Sequence, residues 1–226
     1  MELALPVVAC SVDGQAGPRI PSVPATADAL LLPSIAGTLS LYSDGTFLLL
    51  APRGWRCVES YGSSGVQIRV VPADSGLTDA QVRAGDITTP AVTMDYWNGG
   101  TSGRFEVAGV GAPLFQNLVI LASTLNSQFP GTNARSSPWV GETLTVVSPT
   151  LARFQDPPGT LGTGTNETGL VPGALGVQGT VRERASGFSD VLSMTDLVVL
   201  AVRLGPDSEA NVPIIESDFE ERSKGP

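Results

Sequence analysis

Two short apolar runs, Leu39-Ser40-Leu41-Tyr42 and Phe47-Leu48-Leu49-Leu50, flank Ser43-Asp44-Gly45-Thr46. No other feature of the chain constrains its fold as tightly. Asp-Gly between apolar runs specifies a β-hairpin, because both turn residues tolerate positive φ. The same grammar continues downstream. Ala51-Pro52-Arg53-Gly54 ends that strand, and Trp55 to Tyr61 forms the next. Gly62-Ser63-Ser64-Gly65 turns the chain back into Val66 to Val71. There Gln67 and Arg69 alternate with Val66, Ile68 and Val70, which predicts one polar face.

Residues 3–10 read as a strand ending at Cys10, and the proline-rich residues 11–35 as a loop. Residues 77–83 suit a short helix with Thr78 as its N-cap. Ala91 to Trp97 and Arg104 to Val107 read as strands around the loop 98–103. The best helix pattern is Pro113 to Asn126, where Leu114, Leu118, Leu121, Ala122 and Leu125 recur at spacings of three and four. Strands are expected at 142–147, 151–154, 174–184 and 190–204. Gly and Pro number 26 and 18 of 226 residues, an excess that favours turns over long helices. The expectation is an α+β, mainly β chain: one domain over 1–226 with an antiparallel, sandwich-like sheet core and one or two helices. Within it, 159–173 reads as a flexible loop and 207–226 as an acidic C-terminal segment.

Absences limit the chemistry. There is no histidine, which removes Ser-His-Asp and Cys-His catalysis, histidine metal ligands and the histidine pH switch. Of the 13 basic residues only Lys224 is lysine, so a buried Schiff-base lysine is not expected. The net charge of -9 opposes nucleic-acid binding, which needs a basic surface to displace phosphate counterions. Cys10 and Cys57 are the only cysteines. They fit either one disulfide in an oxidising compartment or two separate buried thiols. No apolar stretch is long enough to cross a membrane as a helix. No metal site and no cofactor is expected.

Carboxylates remain available for acid–base work. Asp95, Glu106 and Glu142 stand near Tyr96, Trp97 and Phe105 in sequence. On a strand Asp95 and Trp97 share one face and Tyr96 takes the other. A carboxylate beside an indole is an arrangement that suits sugars, although a surface Asp beside a core Trp is the plainer reading. Trp97 and Trp139 flank loops and are candidate stacking platforms. Asp95, Tyr96, Trp97 and Trp139 are therefore the candidate binding residues, and no catalytic residue is assigned. Trp55, two residues before Cys57, reads as core packing.

The segments Ala51-Pro52-Arg53-Gly54-Trp55-Arg56-Cys57, Tyr61-Gly62-Ser63-Ser64-Gly65 and Phe154-Gln155-Asp156-Pro157-Pro158-Gly159 resemble a family of uncharacterised secreted proteins of high-GC Gram-positive bacteria. Val7-Val8-Ala9-Cys10 fits the same pattern. The resemblance implies export and pairing of Cys10 with Cys57. It carries no activity and no catalytic residue. The functional expectation is a non-catalytic binding or structural module, secreted or at the cell surface. Its expected partners are a cell-wall or extracellular glycan or another surface protein. The alternatives are a carboxylate-dependent glycan hydrolase and a self-assembling surface or filament protein.

Overall fold

The computed structural model describes residues 2–132, 134–185 and 195–224. Its strands form two sheets. The smaller contains β1 (Glu2–Ala9), β3 (Thr26–Leu30), β4 (Leu39–Ser43) and β5 (Leu48–Pro52), in the order β3-β1-β4-β5. The larger contains β2 (Ser11–Gly14), β6 (Arg56–Gly62), β7 (Gly65–Val71), β8 (Ala91–Trp97), β9 (Thr143–Ser148), β10 (Leu151–Asp156), β11 (Val177–Ala185) and β12 (Thr195–Arg203). Its order is β2-β6-β7-β8-β12-β11-β10-β9. Pairing is antiparallel except for β1 with β4 and β2 with β6. The helices are α1 (Asp79–Ala84), α2 (Arg104–Gly111), α3 (Gln116–Gln128), α4 (Thr163–Glu167) and α5 (Val212–Arg222). The α+β, mainly β reading holds.

The eight-stranded sheet is the middle layer, because strand alternation gives it two apolar faces. On β8, Ala91 and Trp97 face a core shared with Val107, Val110, Leu118 and Leu125 of α2 and α3. Val92 and Met94 face the opposite core, shared with Leu41, Leu49 and Leu50 of the small sheet and with Ile215 and Phe219 of α5. Along β12, Leu197, Val199 and Ala201 take the first side, and Val198, Leu200 and Val202 the second. Layers of this kind need a sheet that is buried on both faces, and β12 is a nearly continuous apolar run for that reason.

Cys10 stands between β1 of the small sheet and β2 of the large one, and is disulfide-bonded to Cys57 of β6. The bond therefore fastens the point where the chain changes sheets. Trp55 packs partly buried against the core that contains both sulfurs. The hairpin forms at 39–52, with Ser43 opposite Leu48 and four residues in its loop. Only Gly45 takes positive φ there (93°). Asp44 acts through its side chain instead, with Oδ1 accepting from the N–H groups of Thr46 and Phe47.

Several segments differ from the sequence reading. Arg104–Val107 is the start of α2, not a strand, because Val107, Val110 and Leu114 recur at helical spacing and are buried together. The helix read at 113–126 begins at Gln116, after a turn in which the Leu114 and Phe115 N–H groups both donate to the Gly111 carbonyl. Residues 11–35 contain β2 and β3, strands too short and too polar to show a pattern. The Gly/Thr-rich residues 159–173 include α4, whose Thr163, Gly164 and Thr165 are buried. The acidic tail, by contrast, forms α5, in keeping with the second helix allowed for, and buries Val212, Ile215 and Phe219 along one face. Residues 190–194 of the strand read at 190–204 lie outside the described residues.

Candidate binding cleft

The small sheet has half as many strands as the large one and does not cover all of it. Between the tip of the β4–β5 hairpin and the C-terminal end of α5, a cleft of about 1150 Å3 opens onto the large sheet. Ligand sites typically occupy roughly 300–1,000 Å3, so this one is large. Val66, Met94 and Val198 supply apolar surface from the sheet, with Phe47 and Leu48 on the hairpin side and Phe219 on the helix side.

Register explains what meets what. Val66 of β7 pairs with Tyr96 of β8, Tyr96 with Val198 of β12, and Val198 with Arg182 of β11. The four form one straight cross-strand row that lines the cleft and changes from apolar to cationic along its length. The Phe47 ring lies 5.3 Å from that of Tyr96, tilted by 40°. The Tyr96 hydroxyl donates to Asp196 Oδ2 at 2.8 Å, and Asp196 Oδ1 accepts from the Gly99 N–H at 3.1 Å. Burial and that carboxylate push the Tyr96 phenol up to about 12, so it stays neutral as a donor. Asp196, just ahead of the apolar run of β12, is thus the anchor of the Tyr96 ring.

The cationic end has four members: Arg182 and Arg184 of β11, and Arg222 and Lys224 at the end of α5. They are four of the 13 basic residues of a chain with net charge -9. Two are already paired, Arg222 with Asp218 at 2.7 Å and Lys224 with Glu221. Arg182 donates from Nε to Ser223 Oγ and from Nη2 to the Glu220 carbonyl. Burial lowers its pKa, against the raising effect of Glu220 and Glu221. Among the described residues, Arg184 makes neither a hydrogen bond nor an ion pair. Glu183, between them, turns to the other face and accepts from Asn117 and Thr195.

Of the four candidate residues, only Tyr96 lines this cleft. Asp95 and Trp97 share the opposite face, as alternation requires, and both are buried there (0% and 4% exposed). Trp97 therefore offers no open stacking surface. Asp95 Oδ1 is 4.0 Å from Arg69 Nη2, too far for a hydrogen bond, and neither carboxylate oxygen has a hydrogen-bond partner. Burial pushes its pKa up to about 7, against the opposing pull of Arg69, with Glu167 adding to the rise. Trp139 precedes β9 at the far edge of the sheet, half-buried, with the Arg135 guanidinium 3.4 Å above its ring.

Glu106 and Glu142 both raise the pKa of Glu167, whose burial is the larger cause. Glu142 is committed to the backbone, accepting from the N–H groups of Trp139 and Thr163. A second, smaller cleft of about 350 Å3 lies between Asp156, Pro158, Leu204 and Val212. Neither cleft is lined by Asp95, Glu106 or Glu142. Among the described residues, no group of three Asp, Glu or Cys side chains is placed to hold a metal ion.

No protein-family profile, curated protein or solved structure matches the chain. Its function has to be argued from its own geometry. Sequence reasoning missed Arg182 and Arg184, although Val-Arg-Glu-Arg carries the signal: on a strand, arginines two apart share a face. Phe47, Phe219, Arg222 and Lys224 carried no such local sign.

Proposed function

We propose that this chain is an exported, non-catalytic binding module whose ligand occupies the cleft between the β4–β5 hairpin and α5. The observation that carries the reading is the cleft itself, with apolar surface on its floor and walls and convergent polar groups at one end. Export is supported by the Cys10–Cys57 disulfide and by the resemblance of the cysteine-bearing segments to secreted proteins of high-GC Gram-positive bacteria. Among the described residues, no helix is long and apolar enough to cross a membrane.

The test is thermal stabilisation by fractionated envelope material: polysaccharide, lipid and small-molecule extracts, each against wild type and Val198→Trp. Val198 is buried beneath the cleft floor, so the bulkier side chain has to extend into the cleft. A fraction that raises the melting temperature of the wild type but not of folded Val198→Trp supports the reading. Equal stabilisation of both proteins, or of neither by any fraction, overturns it.

A second reading, self-association, has its own observation. Among the described residues, β9 pairs with β10 on one side only and ends the sheet. Its sequence, Thr-Leu-Thr-Val-Val-Ser, has no charge and no proline. Val146 and Val147 are exposed. Strand edges without such guards are templates for pairing with another chain.

A further inference from the structure

This inference rests on the cleft being the binding site, and it concerns what the cleft takes. We infer that its ligand is a single-chain amphiphile with an anionic head, its tail lying along the Val66–Tyr96–Val198 row and its head at Arg182 and Arg184.

The argument starts from the direction of the row. Neighbouring strands are about 4.8 Å apart, so three steps from Val66 to Arg182 span roughly 14 Å. Over that distance the surface is first apolar and aromatic, then cationic. Phe47 and Phe219 close the sides of the apolar part. A sugar polymer would want hydrogen-bonding groups along its whole length, and the row offers one neutral hydroxyl, already engaged with Asp196. A linear hydrocarbon is matched instead.

The head is chosen by charge. Arg222 and Lys224 have carboxylate partners, and Arg182 has spent two donors on neutral oxygens. Arg184 stands two residues from Arg182 on the same strand face, about 7 Å away along the strand. Its guanidinium has no partner among the described residues. Its cross-strand neighbour Asp196 forms no ion pair with it and points its two oxygens at Tyr96 and Gly99 instead. A planar guanidinium fork matches carboxylate and phosphate oxygens in the same way. The shared chemistry is therefore an oxyanion on an alkyl chain.

The experiment is isothermal titration of the full chain with four probes of one tail length, below their micellar concentrations. They are dodecanoate, dodecyl phosphate, dodecanol and dodecylammonium. Both anionic probes, or one of them, should bind at least roughly 10-fold more tightly than the alcohol, as a charge-assisted hydrogen bond implies, and the ammonium should bind weakest. Which anion binds tighter distinguishes a carboxylate source from a phosphate source. Arg184→Gln removes no hydrogen bond or ion pair among the described residues, so it should fold. It should lose roughly 10-fold or more in affinity for the anions and leave the alcohol unchanged. Equal binding of alcohol and anions, or an unchanged Arg184→Gln, overturns the anionic head while the cleft reading stands. Binding that survives in folded Val198→Trp, or no binding of any probe, overturns this inference. Whether the cleft reading also fails is then decided by the envelope fractions.

Discussion

Asp95 is wholly buried, and its nearest charge is a guanidinium nitrogen at 4.0 Å that makes no hydrogen bond to it. Two effects compete there. An ion pair at that distance is worth about 4 kcal/mol at an effective dielectric of 20. Burying an ionised carboxylate costs several kcal/mol, and more when its oxygens lack donors, as both do here. Burial wins, and the pKa stands near 7 against an ordinary 3.8. The folded state therefore holds this proton more tightly than the unfolded state does. Stability from Asp95 is fully present below about pH 4 and is lost as pH rises through about 7. At about 1.4 kcal/mol per pH unit, the loss is about 4 kcal/mol. Asp95→Asn keeps the shape and cannot ionise. Urea unfolding of both proteins from about pH 4 to about pH 8 isolates the effect from the other buried carboxyls, since only the difference between the two curves matters. Wild type should lose about 4 kcal/mol relative to the variant over that range. Parallel curves, or wild type gaining on the variant as pH rises, would mean that the Arg69 attraction outweighs burial and the reasoning is wrong.

Three further outcomes are expected. The Cys10–Cys57 bond spans 47 positions, so its loss in the double Cys→Ala variant should lower stability by about 4 kcal/mol on the chain-entropy account; an unchanged urea midpoint would reject it. Arg203 is fully buried and its fork donates to the Ile87 and Val171 carbonyls, tying β12 to the segments that precede β8 and β11. Arg203→Lys keeps the charge but not the fork, and should cost about 2 kcal/mol in urea unfolding, where no loss would dismiss the clamp. If β9 pairs between copies, sedimentation should show mass rising with concentration for wild type and a constant monomer for Val146→Lys; a wild-type monomer at every concentration tested removes that reading.

Much of the fold was legible because its signals are local. Asp44-Gly45 marked the first hairpin, and Gly62–Gly65 marked the second, where Gly62 pairs with Gly65. Thr78 caps α1 as read, with Gln81 completing a capping box that four residues suffice to encode. The alternation of Asp95, Tyr96 and Trp97 gave their faces correctly, because strand geometry fixes them. Which face would be open was not legible, since that depends on what the rest of the chain lays over each side. The segment 159–173 misled for a related reason. Its small residues reflect close packing: a Cβ on Gly164 would lie 2.5 Å from Val177 Cγ1 and 2.6 Å from Phe154 Cε2. Composition alone reads such glycines as slack.

The cleft was illegible for the strongest reason, since its wall residues run from Thr46 to Lys224 and meet only through sheet register and the packing of the hairpin and α5 over the sheet. The same register argues that it is more than a packing fault. One row inward, Ile68, Met94 and Leu200 are buried and close the core. The next row outward should then be the rim of the sandwich, where strands ordinarily turn polar. Here it keeps Val66 and Tyr96, both partly exposed, beside a Val198 as buried as the inner row, so apolar surface extends past the point where the small sheet covers it. Tyr96 is held in place by the Asp196 carboxylate at the start of β12, ahead of its apolar run. A fault in packing requires neither the anchored ring nor the two arginines that end the row. A pocket for a ligand with one apolar and one charged end requires both.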